Sequence, residues 1–409
     1  MKHISVVLLS CLVLCLTAGT AAENWPRFRG PAGTGHHVGA ALPTKWGTEN
    51  ILWRVELKGE GHSSPVNWEQ RIFLTAATDQ GRTRLVLALD ARDGRLLWEK
   101  TISCDSPGKT HAMNGFATPT CATDGERVVA FFGRVGIHCF NLDGKPLWSQ
   151  SLGEFAGPWG SAASPIFAGG RVIQNCDAQG ESSIAALDKK TGKTVWRTSR
   201  GEKPMGGWGT PIEIQTKTRP EVVVNGQQGL DAYDPATGKQ LWNCRGFNGR
   251  GEPVPDFARG LLFVVNGLPG DVYAVRPGGS GDVSETHRAW HTPRTKVRDV
   301  SSPIVVGDYL FAIDMKGNAT TYDSHSGKVL WSERIPGAFT ASPVESGGLI
   351  YINTEAGETL VIRPGPKLEL LARNSLGDRA GELFRASLAP IGGRIYLRST
   401  RALYCVGAK

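Results

Sequence analysis

Ala88-Leu-Asp-Ala-Arg-Asp-Gly94-Arg-Leu-Leu-Trp98 decides the fold, because the same pattern returns along the chain. It recurs as Ala186-Leu-Asp-Lys-Lys-Thr-Gly192-Lys-Thr-Val-Trp196 and as Ala232-Tyr-Asp-Pro-Ala-Thr-Gly238-Lys-Gln-Leu-Trp242. A further copy is Thr321-Tyr-Asp-Ser-His-Ser-Gly327-Lys-Val-Leu-Trp331. Cys139-Phe-Asn-Leu-Asp-Gly144-Lys-Pro-Leu-Trp148 is one residue shorter. Two copies have decayed, Ala274-Val-Arg276 leading to Trp290 and Val361-Ile-Arg363 leading to Leu371. Ile51-Leu52-Trp53 is a closing element on its own. In a complete copy the Asp carboxylate caps a turn, and the Gly takes the positive φ that the turn requires. The closing positions are spaced 40 to 50 residues apart.

A second element alternates with the first: a small residue followed by Pro, then an apolar strand after a Gly turn. The copies begin at Ser64-Pro65, Thr118-Pro119, Ser164-Pro165, Thr210-Pro211, Val254-Pro255, Ser302-Pro303 and Ser342-Pro343. Ser387-Leu388 is the eighth, with the Pro lost. Strand A therefore carries the small-Pro pair, strand B is the apolar run, strand C ends at the Asp, and strand D ends at the Trp. Four short antiparallel strands repeating at this period are the signature of a β-propeller.

The expected fold is all-β: one eight-bladed propeller of four-stranded antiparallel blades over residues 47–409. The chain ends on strands A, B and C with no strand D after them, so Ile51-Leu52-Trp53 is expected to complete the last blade. That closure removes both open sheet edges. Residues 23–46 are expected to form an irregular lead-in packed on one face. Trp53, Trp98, Trp148, Trp196, Trp242, Trp290 and Trp331 are read as structural, each covering the seam to a neighbouring blade with its large apolar area.

Composition agrees. Of 409 residues, 52 are Gly, apolar residues make up 40% and charged residues 21%. Many glycines mean many tight turns, and the apolar share excludes a largely disordered chain. The net charge of +8 is spread without a run of like charges, which argues against a nucleic-acid partner. Length alone suggests two to three domains at about 150 residues each; the repeats override it.

Met1-Lys-His3, the apolar run Ile4–Leu16 and the small residues of Thr20-Ala-Ala22 read as a secretory signal peptide over residues 1–22. The apolar run is too short for a membrane span, and none follows after cleavage. The protein is thus expected to be periplasmic or secreted, and monomeric. Acylation at Cys11 is disfavoured, since it leaves only ten residues of leader. Cys104, Cys121, Cys139, Cys176, Cys244 and Cys405 remain after export. Their pairing is open, with buried free thiols favoured. They show no metal-ligand spacing, and no metal site is expected.

The Ala-x-Asp-x-x-Thr-Gly-x-x-x-Trp repeat resembles the tryptophan-docking motif of pyrroloquinoline-quinone (PQQ) type propellers. Asn24-Trp-Pro-Arg-Phe-Arg-Gly-Pro31 with Gly61-His-Ser-Ser-Pro65 is similar to exported PQQ-like repeat proteins. The resemblance covers almost the whole mature chain. It implies one of two roles: a BamB-like scaffold of outer-membrane assembly, or a quinoprotein alcohol or sugar dehydrogenase. The second would require PQQ with Ca²⁺, and that family holds its quinone against a disulfide of adjacent cysteines. Adjacent cysteines are missing here. A non-catalytic propeller without cofactor, holding a protein partner or small ligand at its funnel, is therefore the preferred expectation.

In such a ring the long D–A loops gather around the funnel, so ligand chemistry belongs there. The candidates just ahead of the small-Pro pairs are His62, His111, Asn114 and Phe116 on the first loops, then Trp159 and Trp208. Glu252, Arg298 and Asp299 follow, with Glu382 and Arg385 on the last loop. Aromatic, basic and acidic side chains in one funnel suit a small polar or anionic molecule, or a peptide segment. In the dehydrogenase alternative Glu252, Asn114 and Asp299 are the available Ca²⁺ ligands, with the Trp-Gly contexts of Trp159 and Trp208 as quinone floor. No motif fixes those roles.

Overall fold

The repeat period resolves into four antiparallel strands each time. The computed structural model describes residues 23–203, 206–268, 270–294 and 298–408. The expected signal peptide over residues 1–22, with Cys11, lies outside the described residues. Blade 1 consists of Val66–Trp68, Arg71–Thr78, Thr83–Asp90 and Leu96–Ser103. Blades 2 to 7 follow over 122–150, 166–203, 212–245, 256–292, 304–334 and 344–374. Blade 8 takes Ala389–Ile391, Arg394–Arg398 and Ala402–Val406 from the C-terminal end, and Ile51–Glu56 from the N-terminal end as its outer strand. Trp53 pairs with Cys405 and Glu56 with Ala402, so the ring is shut by strands from both ends of the chain.

Both faces of a blade meet a neighbour, which is why strands B and C are apolar without alternation. Val86, Ala88 and Phe73 of blade 1 pack on Val128, Ala130 and Phe140 of blade 2. The same arrangement repeats between blades 3 and 4 and between blades 6 and 7. Each Val or Phe among them taken from water contributes about 1.5–3 kcal/mol, so the seams carry the stability of the ring.

The docking tryptophans sit where the repeat places them. Trp98 pairs with Ala88 across strands C and D, and a bulge follows at Leu89. The bulge leaves Leu96 and Leu97 on the rim and turns the indole toward the next blade. There Trp98 Nε1 donates to Leu142 O at 2.9 Å, and Trp148 Nε1 donates to Lys189 O at 3.0 Å. The turn Gly lies flat under the ring: a Cβ on Gly192 (φ 73°) would come 2.6 Å from Trp148. Asp188 Oδ1 accepts from the Lys190 and Thr191 amides, as a capping residue should.

Three expectations need correction. The strand A position of blade 2 is Thr120-Cys121, two residues beyond Thr118-Pro119, since Ala122 pairs with Val129 as Val66 pairs with Phe73. In blade 7 the residue on the docking face is Ala372, paired with Val361, and Leu371 is the neighbouring bulge position. Trp242 does not dock on a following turn. Blade 5 replaces that turn by 276–287, whose segment Gly281–Asp282 pairs parallel to Trp242–Asn243 as a fifth strand. The Trp242 indole instead donates to Glu221 Oε2 of its own blade at 2.7 Å.

The small residues at the strand A entrances form a circular hydrogen-bond chain around the channel. Ser64 N donates to Thr120 Oγ1, Thr120 N to Ser164 Oγ, and Ser164 N to Thr210 Oγ1, each at 2.9 Å. Val254 N donates to Ser302 Oγ, Ser302 N to Ser342 Oγ, Ser342 N to Ser387 Oγ, and Ser387 N back to Ser64 Oγ. The chain is interrupted only between Thr210 and Val254, which has no hydroxyl to accept.

Residues 23–46 cross the channel mouth on the side of the A–B turns. Trp25 bridges to Asn67 of blade 1, and the Thr123 amide of blade 2 donates to Pro26 O. Buried Arg29 reaches Pro303 O of blade 6 at 3.0 Å. His36–His37 pair in parallel with Glu345–Ser346 of blade 7. His36 also contacts Asp256 of blade 5 through Nε2 at 3.1 Å. The segment thus ties together blades that are not neighbours in the ring. The six cysteines are unpaired, and all but Cys104 are buried.

Candidate funnel site

Extended chain alternates its side chains with period two. The residue two positions before each of the eight ring residues therefore points the same way, from His62 ahead of Ser64 round to Arg385 ahead of Ser387. All eight such residues line one cavity of about 190 Å³, above the hydroxyl ring and with Phe28 of the lead-in as its floor. The lead-in makes the channel blind, and the D–A loops leave it open at the other end.

The walls divide by chemistry. His62, His111, Asn114, Trp159 and Trp208 form one half, from the loops entering blades 1 to 4. Arg250, Glu252, Arg298, Thr340 and Arg385 form the other, from the loops entering blades 5 to 8. Trp208 is held by its indole donating to Gly160 O at 2.9 Å, which also braces the Trp159 loop. Asn114 Nδ2 donates to Trp159 O at 2.8 Å, and the His111 and Trp159 rings lie 5.2 Å apart. The Arg250 guanidinium sits over Trp159 at 5.3 Å and near Trp208 at 6.0 Å, within cation–π range. Arg385 is matched by Glu355 at 3.1 Å and donates to Ala112 O across the funnel.

Burial tunes the titratable groups. Glu252 is pushed up to about 7 by burial, against the pull of Arg250 and Arg298. Its Oε2 is out of water and has no hydrogen-bond partner. His62 is pushed down to about 3 by burial and by the nearby charges of Arg398 and Arg385, so it is neutral at ordinary pH.

Of the residues singled out from sequence, His62, His111, Asn114, Trp159, Trp208, Glu252, Arg298 and Arg385 meet in this cavity. Three do not. Asp299 follows Arg298 in extended chain, so it faces the opposite way, fully buried and ion-paired with Arg294. Glu382 accepts from Tyr404 Oη at 2.7 Å and from Arg54 at 3.0 Å on the flank of blade 8. Phe116 lies under the Arg84 guanidinium at 4.8 Å, in a separate cleft. Sequence reasoning missed Met113, Arg250, Thr340 and Phe28. The offset of two before each ring residue would have found Thr340. Nothing local marks Phe28.

The donor set does not fit the Ca²⁺ and quinone of the dehydrogenase alternative. Asp299 is turned away, and a dication beside Glu252 would meet Arg250 and Arg298. Among the described residues no group of three or more His, Cys, Asp or Glu could hold a metal ion.

Known proteins place the chain. It is 27% identical over 228 residues to the outer membrane protein assembly factor BamB of Moranella endobia, covering 51% of this chain and 54% of that protein. The chain thus spans about half the length of that relative. It is 23% identical to the quinohemoprotein alcohol dehydrogenase ADH IIB of Pseudomonas putida, over 69% of this chain and 44% of that one. A europium-containing methanol dehydrogenase superposes with a TM-score of 0.74 at 11% identity, covering 94% of this chain and 98% of that chain. At that identity the likeness is one of fold. The family model described as outer membrane protein assembly factor BamB matches residues 41–174, 82–244 and 180–401. With most of its length matched in this way, the chain belongs to the BamB family of β-propellers.

Proposed function

We propose that this protein is an exported, non-catalytic binding propeller that holds a partner at the open end of its funnel. One observation carries the reading: all eight D–A loops converge on a blind cavity, yet its side chains form no nucleophile–base pair and no metal-ligand set among the described residues. A pocket of about 190 Å³ is smaller than the roughly 300–1,000 Å³ of ordinary small-molecule sites. It suits a side chain or chain end inserted from a partner, with the surrounding loops supplying the wider contact. Relatives named for outer membrane protein assembly support a protein partner in the periplasm.

A photo-crosslinker placed at Met113 on the funnel rim tests this in cells, with Lys190 on the opposite turn face as control. A discrete adduct with an envelope protein from position 113 alone is expected. Equal labelling from both positions, or turnover of alcohols by the purified protein with PQQ and Ca²⁺, would overturn the reading.

A further inference from the structure

Two guanidiniums in the funnel have no counter-ion held against them. The Arg298 side chain makes no hydrogen bond or ion pair among the described residues, and it lines the cavity. Arg250 makes no ion pair among the described residues, and its Nε is buried without a partner. Arg385, by contrast, is matched by Glu355, which also accepts from Thr340. Three further polar atoms of the same cavity are buried and unpartnered: His62 Nδ1, Asn114 Oδ1 and Glu252 Oε2. Buried polar groups in folded proteins are nearly always satisfied. These atoms are closed off from the cavity itself, so an occupant falls to the two guanidiniums, which line it beside two tryptophans and mark an anion.

We propose that the funnel is a carboxylate receptor: Arg250 and Arg298 hold a carboxylate, and Trp159 and Trp208 flank the residue-sized body that carries it. The inference rests on the binding-propeller reading and names what such a site takes. The carboxylate has two possible sources, a free small acid or the carboxyl end of a polypeptide. Both present the same group to the same two guanidiniums, and charge-assisted bonds of this kind are about twice as strong as neutral ones.

The remaining charges in the funnel agree with an anionic occupant. Glu252 stays protonated up to about pH 7, so it does not neutralise the arginines below that pH. His62 is neutral, Arg385 is paired, and His111 faces Trp159. Asp299, behind the cavity wall, is engaged by Arg294. Affinity for a carboxylate should therefore weaken as pH rises through about 7, when Glu252 becomes a competing anion.

Titration calorimetry of the purified protein tests this with four probes: N-acetyl-leucine, its amide, a pentapeptide ending in a leucine acid, and the amidated pentapeptide. Binding of the acids and not the amides is expected, weakened tenfold or more in Arg298→Gln and in Arg250→Gln. Tighter binding of the pentapeptide acid assigns the source as a chain end; tighter binding of N-acetyl-leucine assigns it as a free acid. The Arg298 side chain has no hydrogen-bond or ion-pair partner among the described residues, so its replacement should leave the ring intact, and circular dichroism checks this. Equal binding of acid and amide, no binding of either acid, or affinities unchanged in both variants would overturn the proposal. If the Met113 crosslink to a partner survives in those cases, the binding-propeller reading stands and only the carboxylate is refuted.

Discussion

Replacing Glu252 by Gln should make the protein more stable at pH 8 and leave the pH 4 comparison close to whatever the amide itself changes. Burial pushes this carboxyl from an ordinary 4.5 up to about 7, even with Arg250 and Arg298 nearby. At about 1.4 kcal/mol per pH unit, that difference corresponds to about 3 kcal/mol. The sign follows from proton binding. Between pH 4.5 and 7 the unfolded chain has released this proton and the folded chain still holds it, so stability falls as pH rises. The full penalty is present above pH 7 and absent below 4.5. Gln cannot ionise, so the stability difference between variant and parent should grow by about 3 kcal/mol from pH 4 to pH 8. Urea denaturation at several pH values, followed by tryptophan fluorescence, measures it. A difference that does not change with pH would show that Glu252 titrates normally, and that burial does not outweigh the pull of Arg250 and Arg298.

Other consequences are local. Val254→Ser supplies the missing acceptor for the Thr210 amide and should stabilise the ring by about 1 kcal/mol, read from the urea midpoint; a loss would mean that the Val side chain packs better than the hydrogen bond repays. Gly192→Ala should cost clearly more than Gly260→Ala, although both have a positive φ (73° and 76°), because only the first meets a docking Trp. The second carries the left-handed penalty alone, about 1–2 kcal/mol, and equal losses would contradict the docking account. His36 is buried enough to lose charge, but hydrogen bonds to Asp256 and Glu345 outweigh that and hold it up to about 9. Its stabilisation is complete below pH 6.5 and lost as pH rises to 9, so His36→Asn should flatten the stability profile in that window by about 3 kcal/mol. An unchanged profile would remove the lead-in latch.

The parts legible in the sequence are those that repeat. Asp188, Gly192 and Trp196 each do one job in every complete copy, so their spacing exposes blade number, strand order and closure. Legibility fails where a blade departs from the repeat. Thr118-Pro119 copies the chemistry of Ser64-Pro65 two residues early, and a shift of two keeps the same face, so only strand pairing reveals Thr120. Leu371 and Ala372 are adjacent across a bulge, where alternation breaks down. Trp242 lost its docking turn to an insertion that carries no turn motif.

The site was legible for a related reason. Residues two before each ring position must face the axis, which singles out His62, Trp208, Glu252 and Arg385. Arg298 and Asp299 are neighbours in sequence and could not be separated without knowing which one faces inward. Phe28 lies in a stretch without periodicity, and its place beneath the channel is fixed by contacts with remote blades. Arg250 reaches the cavity because it stacks over two tryptophans supplied by other loops.

The central claim is that the cationic and aromatic halves of the funnel together hold a carboxylate. A crystal structure of the protein grown with the tighter-binding acid tests it most directly. The account predicts the acid above Phe28, with its carboxylate on Arg250 and Arg298 and its body between Trp159 and Trp208. An acid bound elsewhere on the molecule, or a carboxylate turned away from both arginines, would contradict it.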